Sequence, residues 1–163
     1  MYRYKGKHTV LECLKFDSIK LSDLKSIYNE NTPLHFLRSW LLQLNLFVNV
    51  DADKKLSEDQ MIQLSGFMYK EIYLLNMAEL TLLFERIKTG FYFPFYNRID
   101  ATQIMSACRM FRKERSKHLI EIEQEREWIE HLKNLEIKVK NESKVIKLSL
   151  LSKRKKRLRK TKP

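Results

Sequence analysis

Apolar residues recur at helical spacing through most of this chain. Leu34, Leu37, Leu41, Leu44 and Val48 share one face of a 3.6-residue period, and Trp40, Leu42 and Phe47 widen it. Thr32-Pro33 stands just ahead, a hydroxyl at the N-cap and a proline at the first helical position, so the stretch reads as a central core helix. Ser57-Glu58-Asp59-Gln60 has the capping-box pattern and opens a second helix carrying Met61, Ile62, Leu64, Phe67, Met68 and Ile72. Asn76-Met77-Ala78-Glu79 repeats the device before residues 80–88, and Gly90 occupies the place of a C-terminal cap. Asp100 then opens the longest pattern, with Ile104, Cys108, Phe111, Leu119, Ile122, Ile129 and Leu132. Neither Gly nor Pro occurs from 101 to 162, which allows a helix of roughly 30 residues or more. Residues 22–28 read as a short helix.

Residues 136–152 fit two readings. Ile137, Val139, Ile146, Leu148 and Leu150 alternate around Asn141-Glu142-Ser143, which suits a small β-hairpin as well as a frayed helix end. The pattern as a whole predicts an all-α fold. A bundle of three or four helices over 20–115 carries a projecting long C-terminal helix, which begins near 101 and extends the helical domain to 135. An N-terminal arm at 1–19 precedes it. The ambiguous segment and a basic tail at 153–163 follow, the tail disordered when alone.

Composition agrees with that class. The 163 residues include only three glycines and three prolines, too few for the turns of a sandwich or barrel or for a Gly-rich phosphate loop. Cys13 and Cys108 make no disulfide framework and suit small buried hydrophobes in a reducing compartment. The basic N-terminus lacks the apolar run of a signal peptide. Polar residues interrupt 34–50, the most apolar stretch, so no membrane span is expected. These features lead to the expectation of a soluble, intracellular protein.

Charge changes the picture more. The net charge is +12, and Lys153, Arg154, Lys155, Lys156, Arg157, Arg159, Lys160 and Lys162 place eight cations in the tail with no acid. Removing these from the total of 32 leaves 24 cations against 20 anions in residues 1–152. Such a block binds phosphate backbones by releasing counterions, which needs charge density and no particular fold. An acidic protein partner, a solubilising role, an anionic lipid surface and nuclear targeting are the other readings of a Lys/Arg cluster. The lipid reading has no strong apolar face to support it.

The long helix is itself polarised. Arg109, Arg112, Lys113, Arg115 and Lys117 gather on its first turns, while Glu121, Glu123, Glu125, Glu127, Glu130 and Glu136 dominate the next stretch. Arg109, Arg112, Lys113 and Arg115 are therefore candidate nucleic-acid contacts beside the tail. Antiparallel pairing of two such helices, retention of the tail by the glutamates, and a simple solvated face remain open.

Five of the 18 aromatic residues, Phe91, Tyr92, Phe93, Phe95 and Tyr96, fall within six positions around Pro94. They suit a rigid core-closing connection, or a partner or base-stacking site. The run Phe84-Glu85-Arg86-Ile87-Lys88-Thr89-Gly90-Phe91-Tyr92-Phe93-Pro94-Phe95-Tyr96-Asn97-Arg98-Ile99-Asp100 continues through Ile104, Phe111 and Glu114-Arg115. It resembles a family of small helical proteins of Bacteroides-type phages and mobile elements. That family's pattern is F-x-R-F-K-x-G-x-Y-G-x-F-Y-G-x-[IV]-D, followed by an apolar helix ending in E-R. Its two inner glycines are Phe93 and Asn97 here. The resemblance implies a phage or mobile-element setting and assigns no catalytic residue.

Signatures of catalysis are missing. Asp51-x-Asp53 starts like a calcium loop, but Lys55, Leu56 and Ile62 stand where a ligand, a glycine and the closing glutamate belong. His8, His35, His118 and His131 lack metal-ligand or triad spacing, and His35 reads as a packed core histidine. The expectation is a non-enzymatic accessory protein without a cofactor that binds DNA or RNA non-specifically. The alternative is a helical adaptor or virion component that self-associates through its long helix as a coiled coil.

Overall fold

The computed structural model describes residues 9–160, with side chains described through 138 and at 140. The helices are α1 (Val10–Leu14), α2 (Leu24–Ile27), α3 (Thr32–Phe47), α4 (Glu58–Ile72), α5 (Met77–Lys88) and α6 (Ala101–Lys160). Short 3-10 turns at Leu21–Asp23 and Ala52–Lys54 complete them. No strand forms among the described residues, and an isolated antiparallel bridge joins Lys20 to Asn76. The all-α class read from the periodicity is the observed one.

The chain divides into two units, residues 1–118 and 119–163. In the first, the most enclosed helix is α5, where Ala78, Leu80, Leu82, Leu83, Phe84 and Ile87 are all buried along with Glu79 and Thr81. The indole of Trp40 from α3 stacks on Phe84 at 4.3 Å. α3 packs on α2, α4 and α5, but its apolar circumference is not covered all round. Leu37, Trp40, Leu41 and Leu44 are buried, yet Leu42, Leu46 and Phe47 are 51%, 75% and 61% exposed. The extra apolar residues lie on the outer face of α3. His35 is likewise exposed, on the side of α3 away from the buried stripe, and is no core histidine.

Local chemistry sets the boundaries. Ser57 Oγ accepts from Gln60 N–H while Gln60 Oε1 accepts from Ser57 N–H, the reciprocal box that starts α4. Asn76 and Glu79 do the same for α5. At the far end of α5, Gly90 N–H donates to Ile87 C=O and Phe91 N–H to Arg86 C=O, a Schellman closure. Gly90 has φ +72°, and a Cβ there would meet Pro94 Cα at 3.2 Å, so the position requires glycine. The start of α3 differs by one residue from expectation: Asn31 is the N-cap and Thr32 the first helical residue.

Two buried asparagines tie the connections to the core. Asn45 donates to Leu56 C=O at 2.8 Å and accepts from Leu56 N–H at 3.2 Å. Asn76 Nδ2 donates to Cys13 C=O at 3.0 Å. Residues 9–14, part of the segment read as an arm, thereby join the bundle through α1, with Val10 and Cys13 fully buried. In the second unit the described side chains of α6 include Trp128, Ile129, Leu132 and Leu135, all exposed. The hairpin alternative at 136–152 and the tail at 153–163 fall almost wholly outside the residues whose side chains are described.

Candidate nucleic-acid interface

Asp100 begins α6 by accepting from both the backbone N–H and the hydroxyl of Thr102, each at 2.7 Å. Those hydrogen bonds, the side-chain one first, hold the Asp100 carboxyl below its ordinary range. Ile104, Ala107, Cys108 and Phe111 then fill the inner face of the first turns. Burial pushes the Cys108 thiol up to about 12, so it stays protonated and inert.

Flanking this apolar stripe, α6 is pinned by ions. Arg112 Nη1 lies 2.9 Å from Glu71 of α4. Arg115 Nε lies 2.7 Å from Glu79 of α5. In the opposite sense, Arg86 of α5 grips Glu114 through two contacts, at 2.6 and 3.3 Å. The Arg86 guanidinium also donates to Tyr92 Oη at 3.0 Å and lies 4.7 Å from the Phe91 ring centroid. Burial opposes its charge, but the hydrogen bonds to Glu114 and Tyr92 outweigh that and raise its pKa. The same burial raises the Tyr92 phenol.

These contacts sort the candidate cations. Arg112 and Arg115 are engaged with carboxylates of the bundle, and Arg115 is largely enclosed. Arg109, Lys113 and Lys117 are exposed, at spacings of four along one side of α6. None of the three has an ion pair among the described residues. At 1.5 Å rise per residue they stand about 6 Å apart along the axis. The tail candidates Lys153, Arg154, Lys155, Lys156, Arg157, Arg159, Lys160 and Lys162 lie outside the residues whose side chains are described.

The aromatic connection is divided as well. Tyr92 and Phe95 pack against the core, while Phe91 and Tyr96 are exposed by 65% and 83%. Sequence reasoning also missed a groove of about 530 Å³ between α4 and the first turns of α6. Phe67, counted with the apolar face of α4, is 56% exposed and lines that groove together with Lys70 and Arg109. The signal was available in its angle, because Phe67 lies off the stripe formed by Leu64, Met68 and Ile72.

Among the described residues no three His, Cys, Asp or Glu side chains cluster as a metal site. No described helix is long and apolar enough to cross a membrane. What the fold defines is a small helical bundle whose last helix is held by alternating ion pairs to α4 and α5. Residues 55–161, well over half the chain, match the model of a family of unknown function, DUF6633, and the protein belongs to that family. The matched span contains α4, α5, the ion pairs and the groove. No curated protein and no solved structure matches the chain.

Proposed function

We propose that this protein is a non-enzymatic, nucleic-acid-associated accessory protein of a phage or mobile element. It holds the phosphate backbone of DNA or RNA without sequence preference. The observation that carries the reading is the segregation of charge: eight cations and no acid at 153–162, attached to a body that is close to neutral. Eight lysines and arginines at that density attract a polyanion through counterion release. Arg109, Lys113 and Lys117 add a second row of exposed cations on a packed helix, whose register is held by the ion pairs of Arg112, Glu114 and Arg115. The phage or mobile-element setting rests on the resemblance across residues 84–115.

Two full-length variants test this. One replaces all eight tail cations with glutamine, the other carries Arg109→Gln, Lys113→Gln and Lys117→Gln. The tail variant is expected to lose most affinity for single- and double-stranded oligonucleotides. The helix variant is expected to lose a smaller share. Unchanged binding by both variants would overturn the proposal.

A second reading is favoured by a separate observation. Trp128, Leu132 and Leu135 are exposed by 43–61% on α6 at the i, i+4, i+7 spacing of a helix-pairing seam, and Ile129, also exposed, lies beside them. Self-association through this seam would make the protein a helical adaptor or virion component. Light scattering across a concentration series separates the two, since the adaptor reading requires a discrete oligomer.

A further inference from the structure

The groove between α4 and α6 is chemically uneven in a way that suits one class of ligand. Leu64 and Met105 supply apolar lining, and Phe67 adds an aromatic ring left more than half exposed. Lys70 Nζ stands 5.9 Å from the centroid of that ring, and Arg109 lines the opposite, α6 wall. The one carboxylate lining the groove, Glu71, is neutralised by Arg112 at 2.9 Å. Gln63 and Ser106 line it with side chains that make no hydrogen bond among the described residues. Gln60 spends its carbonyl oxygen on the α4 cap and keeps its amide N–H groups free to donate. The lining is therefore rich in donors and cations around an accessible aromatic face.

We propose that this groove takes an unpaired base of a single-stranded nucleic acid, stacked on Phe67. Gln63 and Ser106 hydrogen-bond the base edge, and Lys70 and Arg109 meet the flanking phosphates. The inference rests on the nucleic-acid reading above and adds to it a strand preference. A duplex keeps its base faces stacked, so an exposed ring at the wall of a groove is useful only to a base already out of the stack. The volume, about 530 Å³, lies inside the roughly 300–1,000 Å³ of sites that enclose small ligands. Lys113 and Lys117 continue from Arg109 along α6, so a strand leaving the groove meets further cations.

The test compares the full-length protein with Phe67→Ala and with Lys70→Gln/Arg109→Gln. The ligands are a short oligothymidylate, an abasic oligomer with the same number of phosphates, and a polyglutamate peptide. The wild type should bind the oligothymidylate more tightly than the abasic strand. Phe67→Ala should weaken oligothymidylate binding by roughly 5- to 150-fold and leave the abasic strand unaffected. Lys70→Gln/Arg109→Gln should weaken both strands and lower the log–log salt slope by roughly 0.7 per lost contact. Equal affinity for both strands with a silent Phe67→Ala would overturn the groove proposal alone, leaving backbone binding in place. Binding of neither strand would overturn it together with the nucleic-acid reading. Polyglutamate binding that depends on Phe67, without oligothymidylate binding, would assign the groove to an acidic peptide and overturn it too.

Discussion

Arg115 of α6 places its Nε 2.7 Å from Oε1 of Glu79, a carboxylate on α5 with no exposed surface. The other oxygen of Glu79 accepts the N–H of Asn76, so one side chain both caps α5 and anchors α6. A buried carboxylate is tolerated only when its charge is met, and removing one partner of such a pair typically costs about 3–5 kcal/mol. Arg115→Met should therefore destabilise the protein by an amount near the lower end of that range, since Arg115 is itself 17% exposed. Pairing Arg115→Met with Glu79→Gln should recover part of the loss. Chemical denaturation of the two single variants and the double variant measures the coupling, and simple additivity would contradict the assignment.

Tyr92 contributes to the neighbouring pair. Its hydroxyl accepts from Arg86 Nη1 at 3.0 Å, while the guanidinium keeps its two contacts to Glu114. Tyr92→Phe is expected to cost about 1.5–3 kcal/mol, the loss of one hydrogen bond to a charged donor. Arg86→Met should cost more, because it strands Glu114 and removes the cation held over Phe91. Equal effects would mean that Tyr92, and not Arg86, organises this corner.

Cys108 gives a pH signature. An unfolded thiol ionises near 8.5, whereas burial holds this one to about 12. Between those values the unfolded chain binds fewer protons than the native one, so stability falls as pH rises. The slope approaches about 1.4 kcal/mol per pH unit and is absent below the unfolded value. Cys108→Ala should flatten the alkaline decline relative to the wild type. At pH near 8 the native thiol should also resist a thiol-specific reagent until denaturant is added.

The two interior glycines should respond oppositely to alanine. Gly66 lies within α4, and a Cβ there would meet nothing within 4 Å. Gly66→Ala should stabilise by about 0.5–1 kcal/mol through helix propensity alone. Gly90→Ala must accept φ +72° and a 3.2 Å approach to Pro94 Cα, so it should destabilise by about 1–2 kcal/mol. Thermal unfolding of both variants is a sufficient check.

The helix starts and stops were legible because their causes are local. Ser57 with Gln60, Asn76 with Glu79, Gly90 and Asp100 each act within a few residues. Which face of a helix is covered depends on partners far away in the chain, and there the reading failed. Leu42 and Phe47 look as apolar as Leu41 and Leu44, yet both stay more than half exposed, Phe47 meeting the end of the Lys88 side chain. The cations of α6 show the same limit. Arg112 and Arg109 are indistinguishable in composition, but three residues of helical rotation bring Arg112 to Glu71 and leave Arg109 beside the groove. The groove itself needs Phe67 and Ser106 to meet across 39 positions of sequence, a juxtaposition that no periodicity encodes.

The most direct test of the central claim is the salt dependence of oligonucleotide binding by the full-length protein and the tail-neutralised variant. If the eight cations of 153–162 all engage phosphates, the tail contributes at most about −6 to the log–log slope for a single strand and about −7 for a duplex. The full-length protein should show a steep slope that collapses to a small residue when the tail is neutralised. No binding at low salt, or a slope that the tail variant shares, would contradict it.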